Sequence, residues 1–180
     1  HLEAHVLAHF IKDIPEQKVP QFPFLCLLVS GGNTQIILLE SPRKMQVIGK
    51  TIDDAAGETI DKAAKIYTLR DKLKENPNYI QENLNDIAAS VQKAVVDSLL
   101  AKFEKAIKDT KIKTIAVAGG VSANSELRQK LQELGKKHKC EVFIPKFSYT
   151  TDNAAMVAAA GLFKFQEQDF AHLGLAAYAR

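Results

Sequence analysis

Cysteine is scarce in this chain, with Cys26 and Cys140 the only two among 180 residues. Both lie in strand-like apolar runs with no CxxC spacing and no metal-pattern neighbours, so buried free thiols in a reducing cytoplasm are expected. No run approaches the roughly eighteen consecutive apolar residues that a membrane-spanning helix needs. A basic stretch leading into an apolar core is also missing, which argues against a secretory signal. There is no internal repeat and no low-complexity tract. Neither sign of charge dominates: the net charge of +3 permits contact with an anionic partner such as RNA without requiring one. The first residue is His1 rather than Met and already sits in an apolar-periodic segment, so a trimmed or partial sequence is expected. What remains is ordinary for a globular protein. With 46% hydrophobic and 25% charged residues over this length, one well-filled core is the natural reading.

Leu2, Val6 and Phe10 recur at helical spacing, predicting a helix from 1 to about 12. Pro15, Pro20 and Pro23 then mark a loop. Segment 22–30 is a nearly continuous apolar run, as for a strand buried on both faces. Gly31-Gly32 turns it into a partner strand at 34–40, and a turn at 41–44 leads to a third strand at 45–50. Helical patterns follow at 53–66 and 77–108, the second with Ile80, Leu84, Ile87, Val91, Val95, Leu99 and Phe103 as its apolar face. A short strand at 114–118, a helix at 122–138, a strand at 141–144 and an Ala-rich helix at 150 to about 166 complete the chain. Three antiparallel strands followed by strand–helix alternation predict an α/β fold of the ribonuclease-H-like kind. That module occurs twice in the two-lobed actin/Hsp70/sugar-kinase (ASKHA) architecture, and one lobe is expected to be largely complete here. The division expected is 1–21 as a metal-site helix and linker, and 22–180 as the lobe with its closing helix.

Five segments can carry chemistry. His1 and His5 are four residues apart, so both imidazoles can reach one metal ion from one helix face. The alternative is a polar helix face, which His9 would lengthen. The pattern is not HExxH, because Glu3 lies about 200° around the helix from His1, and this weakens a zinc-peptidase reading. Ser30-Gly31-Gly32 ends a buried strand, where bare glycines would let backbone N–H groups approach an anion, although for a glycine pair alone an ordinary hairpin turn is the better reading. Gly119-Gly120 repeats the device before a helix beginning at Ser122 or Asn124, whose free N–H groups favour phosphates or ring nitrogens. Two such turns from one sheet would open at the same edge, where ligands bind in folds of this type. Asp54, Glu58 and Asp61 share a helix face, and a carboxylate such as Asp61 could accept both hydroxyls of a ribose; Asp53 and Asp54 also suit a simple helix start. Asp152, expected in the first turn of the last helix, is either a cap or the third ligand of a two-histidine, one-carboxylate site suited to Fe(II) or Zn(II).

In this order the five segments resemble the TsaD (Gcp/YgjD) family, whose motifs are HxEGH, SGGHTQ, a DDAAGEAFDK-type helix, GGVxAN and TDNAAM. They correspond to His1–His5, Ser30–Gln35, Asp53–Lys62, Gly119–Asn124 and Thr151–Met156. The resemblance implies that His1, His5 and Asp152 are metal ligands, and that Leu28, Val29, Ser30, Gly31, Gly32, Asp61 and Asn124 line an adenylate pocket. It implies the tRNA N6-adenosine threonylcarbamoyltransferase reaction: transfer of threonylcarbamoyl from threonylcarbamoyl-AMP to N6 of adenosine 37 in tRNAs reading ANN codons. One divalent metal, Fe(II) or Zn(II), is implied as cofactor. Implied partners are tRNA and TsaB-like and TsaE-like proteins, with no membrane. The chain departs from the family pattern in Ala4 for Gly and Asn33 for His. It also departs in the absence of a YPGGP-type loop after Ile66 and of the family's N-terminal lobe, so the chain by itself is expected to be inactive. Two other readings stand beside this one. The first is an M22-type metallopeptidase, since the family has been labelled a glycoprotease; the second is a non-catalytic nucleotide-binding scaffold paralogue. A lysine stripe through Lys102, Lys105, Lys108, Lys111, Lys113, Lys136, Lys137 and Lys139 is either an RNA-contacting surface or a solvated face.

Overall fold

In a computed structural model, residues 1–51 and 68–176 are described. The first helix, α1 (Leu2–Leu7), tightens into a single 3-10 turn at Ala8–Phe10. The strands β1 (Phe24–Val29), β2 (Thr34–Ser41) and β3 (Lys44–Lys50) follow as an antiparallel meander. Next come α2 (Thr68–Glu75), α3 (Tyr79–Glu82) and the long α4 (Leu84–Thr110). The chain then alternates through β4 (Thr114–Ala118), α5 (Ser125–His138), β5 (Glu141–Phe143) and α6 (Ala154–Gln166). The predicted helix at 53–66 lies outside the described residues.

All five strands form one sheet in the order β3-β2-β1-β4-β5, with β4 parallel to both β1 and β5. An antiparallel meander continued by parallel strands is the ribonuclease-H-like arrangement, one lobe of the ASKHA fold. Side-chain alternation along β1 divides the core in two. Leu25, Leu27 and Val29 face Val96, Leu100, Phe103 and Ile107 of α4 and Leu127 and Leu131 of α5. Phe24, Cys26 and Leu28 face the other way and cluster with Val6 of α1. The sheet therefore sits between α4 and α5 on one side and α1 on the other, with α6 packed on α1. Because Val6 shares a cluster with Phe24 and Cys26, α1 packs directly on the sheet.

Three helix predictions need correction. The helix read over 77–108 is broken at Asn83, whose side-chain amide donates to the Tyr79 carbonyl at 2.9 Å and competes with the backbone ladder. Its core face is also displaced: Leu84 is exposed, and the fully packed line runs through Val96, Leu100, Phe103 and Ile107, with Val95 and Leu99 at its margin. The helices read from 122 and from 150 begin later, at Ser125 and Ala154. In each case an asparagine one residue earlier takes the cap, Asn124 Oδ1 accepting from Leu127 N and Asn153 Oδ1 from Met156 N, both at 2.9 Å.

Two contacts fix the edge formed by the C-terminal ends of β1 and β4. Gly119, just after β4, has φ of +88°, and a Cβ built there would meet the Val29 carbonyl oxygen at 2.4 Å. Only glycine fits this position, for conformational and for steric reasons. The second contact is made by His9. Its Nε2 donates to the Val117 carbonyl at 2.9 Å, which fixes the hydrogen on that nitrogen and ties α1 to the end of β4. Burial holds the His9 pKa down to about 4, against the smaller upward effect of that hydrogen bond.

The unfolded chain therefore binds a proton that folded His9 refuses, and acid favours unfolding between the unfolded pKa of about 6.5 and the folded value. Urea unfolding is expected to show roughly 2–3 kcal/mol less stability at about pH 4.5 than at pH 7 from this group, a slope that His9→Gln, which keeps a donor, removes. An unchanged slope in the variant would refute the assignment. Gly119→Ala is expected to cost about 2 kcal/mol or more in the same assay. Gly31→Ala is the control: a Cβ there meets nothing within 4 Å, and the expected change is within about 0.5 kcal/mol.

Candidate metal centre

His1 occupies the position just before α1 and His5 lies in its last turn. Their rings stand 5.0 Å apart at nearly right angles. His5 is only 4% exposed, whereas His1 opens to solvent. Asp152 arrives from the other end of the chain. It lies one residue before the Asn153 cap and so outside the helix, which corrects the expectation of a first-turn position. Because Asn153 serves the free N–H groups of α6, the Asp152 carboxylate is left to turn toward the histidines. Its Oδ1 stands 3.0 Å from His5 Nε2 and 3.3 Å from His1 Nε2.

Packing of α6 on α1 holds this meeting in place. Met156, one turn after Asp152, is buried against Ala4 and Ala8. Farther along, Phe163 packs edge-on against Phe10 with ring centroids 5.3 Å apart. The Ala4 methyl belongs to this contact, so the departure from glycine there is accommodated between the helices. A second brace was invisible in the sequence. Asp13, in the linker after α1, accepts from the Tyr149 hydroxyl at 2.7 Å and pairs with Lys146 at 2.6 Å. Lys146, then Tyr149, hold the Asp13 carboxyl below its ordinary pKa. Tyr149 and Asp13 are 136 residues apart, and no spacing rule could have joined them.

The three side chains form a donor set that can hold a divalent ion, since one ligand atom from each lies within 4.8 Å of the others. Donors about 2.1 Å from one ion and near right angles to each other are about 3 Å apart, close to the separations seen. Two imidazoles, one carboxylate and an open, solvent-facing side match the set used by non-haem Fe(II) and catalytic Zn(II) sites. Glu3 is outside the group, as the helix geometry predicts. So is His9, which is committed to Val117 and held neutral. Metal-bound histidines usually donate their second ring nitrogen to a neighbour. His5 Nδ1 is buried and has no such partner among the described residues.

The remaining predicted site residues fall into four groups. Leu28 and Val29 have fully buried side chains pointing into opposite core clusters, so neither can line a pocket with its side chain. Ser30, Gly31 and Gly32 form a tight turn closed by Ser30 N donating to Asn33 O at 2.7 Å. Asn33 takes part in it through its backbone, and both glycines face open space. Asn124 lies at the matching end of β4, but both ends of its amide are engaged, Oδ1 as the α5 cap and Nδ2 donating to Gln92 at 2.8 Å. The Ser122 hydroxyl beside it is buried without a partner among the described residues. Asp61 lies outside the described residues. The two glycine turns do open at one edge, because β1 and β4 are parallel neighbours, with Leu28 opposite Ala118.

The lysine stripe is partly committed to structure. Lys108 and Lys137 converge with His138 on Glu104, and their hydrogen bonds hold that carboxyl at a pKa of about 2. Lys113 donates to the His138 carbonyl, while Lys111 and Lys139 occupy left-handed C-cap positions. Lys102 and Lys105 border a cleft of about 640 Å³ between β2, β3 and α4, on the opposite face of the sheet from the histidines.

Residues 1–159 match the family described as TsaD: tRNA N6-adenosine threonylcarbamoyltransferase. The chain is 44% identical to the tRNA N6-adenosine threonylcarbamoyltransferase of Phocaeicola vulgatus over 226 aligned positions, which take in 100% of this chain and 67% of the relative. Against the protein of the same name from Porphyromonas gingivalis the identity is 44%, with 100% and 66% covered. For Thermosipho africanus it is 39%, with 89% and 60% covered. The chain thus spans about two thirds of the length of the curated relatives it matches. An alignment of 226 positions against 180 residues also means that the Phocaeicola protein carries segments with no counterpart here. The matched region contains both histidines, both glycine turns and Asp152, and by this match the chain belongs to the TsaD family.

Proposed function

We propose that this chain is the metal- and nucleotide-holding part of an enzyme that transfers a threonylcarbamoyl group from threonylcarbamoyl-AMP to N6 of adenosine 37 in tRNAs reading ANN codons. The observation that carries the reading is the convergence of His1, His5 and Asp152 on one point, in a chain whose two glycine turns open together at one edge of the sheet. Relatives named for that reaction support it.

In this reading His1, His5 and Asp152 hold one Fe(II) or Zn(II) ion. When bound, such an ion supplies Lewis-acid polarisation of a carbonyl and a fixed template for the acyl donor. The chain's own residues do the rest. The Ser30–Asn33 turn presents backbone without side chains, so that an AMP phosphate can approach closely. The start of α5 directs its free N–H groups and positive dipole end to the same edge. Leu28 and Val29 act from beneath, as the rigid floor that fixes where the turn stands. Asp61 is proposed to accept the ribose hydroxyls, and Asn124 to set the start of α5. Partners of the TsaB and TsaE kinds and a cytoplasmic setting belong to the same proposal. No helix among the described residues is long and apolar enough to cross a membrane.

The direct test is metal content by mass spectrometry after anaerobic reconstitution of the chain and of its Asp152→Ala and His5→Ala variants. About one equivalent of iron or zinc is expected in the parent and little in either variant, because losing one of three ligands removes most of the affinity. Metal retained in Asp152→Ala, or none in the parent, would sink this role for the cluster.

A further inference from the structure

The connection between β5 and α6 leads into Asp152 and carries a feature that the metal site does not use. Phe147, in a single 3-10 turn at Phe147–Tyr149, is a large aromatic side chain 66% exposed to solvent. One face of its ring is covered: the Arg128 guanidinium lies 4.0 Å from the ring centroid. With that face taken and so much of the ring exposed, the other face is open. Phe147 also lines a cleft of about 400 Å³ together with Arg128, Gln132, Ile144, Pro145 and Lys146.

The platform is held rigidly. Arg128 Nε donates to the Ser122 carbonyl at 2.6 Å and Nη2 to the Pro145 carbonyl at 2.9 Å, so the guanidinium cannot swing away. The Phe147 carbonyl accepts from the Thr150 hydroxyl at 2.8 Å, and Thr150 is itself buried. Lys146 and Tyr149, on either side, are both bound to Asp13. An apolar ring kept in water by several hydrogen bonds, backed by a cation, is a surface that a flat π-system can cover with little loss of conformational freedom. Asp152 follows five positions later in the chain, so the Cα atoms of the two residues are at most about 18 Å apart.

We infer that the outer face of Phe147 is a stacking platform for an unpaired base of the RNA substrate, next to the nucleotide presented to the metal site. The inference rests on the tRNA reading above and extends it to a residue outside the metal and nucleotide sites. An adenosine whose N6 is to react must be drawn from its stack. Its neighbours then lose stacking partners, and aromatic side chains commonly replace these where proteins read single-stranded RNA. Arg128 contributes positive charge beside the phosphates that accompany such a base.

The test uses the full chain with its metal and an anticodon stem-loop RNA carrying 2-aminopurine beside the target adenosine. Binding is followed by the fluorescence change that stacking causes, with melting temperature and metal content as controls. Phe147→Ala is expected to weaken binding about tenfold or more, from the usual worth of one base–aromatic stack, and to abolish the fluorescence change. Phe147→Trp should retain both, while Phe147→Leu, which keeps bulk but no π-face, should behave like the alanine variant. An RNA of the same length closed into a continuous duplex should bind all four proteins alike. Equal affinity and fluorescence in parent, alanine and leucine variants would overturn this inference and leave the tRNA reading standing. Failure of the parent to bind the stem-loop at all would overturn both.

Discussion

β1 and β4 lie parallel in the middle of the sheet, and the placement of everything else depends on that pairing. Their side chains are almost wholly buried, half packed under α4 and α5 and half under α1. Parallel neighbours end at the same edge, and here that edge receives the Gly31-Gly32 turn, the Gly119-Gly120 turn and the start of α5. The approach is close enough that Gly119 fills the space beside the Val29 carbonyl, leaving none for a side chain. The edge is thus a rigid piece of backbone, and the chemistry-bearing side chains come from other parts of the chain.

The histidines arrive on one helix and Asp152 on the loop just before another, and the sheet supports these helices only in part. α1 is anchored through Val6 and through the His9–Val117 hydrogen bond. α6 is anchored on α1, through Met156 against Ala4 and Ala8 and through Phe163 against Phe10. The histidine–aspartate group is therefore as well defined as one helix–helix contact and one clamped loop allow. The three histidines of one short segment have separate duties. His1 and His5 reach outward to Asp152, whereas His9, buried and kept neutral, serves as a fixed donor. A row of identical residues at i, i+4 and i+8 thus divides between a site and its foundation.

Charge is organised in a similar way. Glu104 draws Lys108, Lys137 and His138 to one point and joins α4 to α5, and Asp13 joins Lys146 and Tyr149 to the linker after α1. Both carboxyls have lowered pKa values because their partners are donors to the charged form, not because they are buried. Such exposed pairs add little stability singly, and their effect here is mainly to fix where a helix end or a loop lies.

The strands and their order were legible from residue pattern alone. The run at 22–30 is apolar throughout because β1 is covered on both faces, and the turns around it announce themselves by glycine and proline. The candidate ligands were legible for a related reason: His1 and His5 share a helix face by local geometry, and Asp152 stands in a motif whose companions all recur in order. What the sequence could not fix was anything decided by packing between distant segments. His9 looked like a continuation of the polar stripe until the sheet beneath it supplied a carbonyl. Leu28 and Val29 looked like pocket residues until the two cores claimed their side chains. Asn124 and Asn153 both serve as helix caps, and the second of them leaves Asp152 just outside its helix with its carboxylate turned to the histidines. Local periodicity reports how each segment folds against its own backbone. Which neighbour satisfies each buried donor, and which side chain is left over to do chemistry, is settled only when those segments compete for the same space.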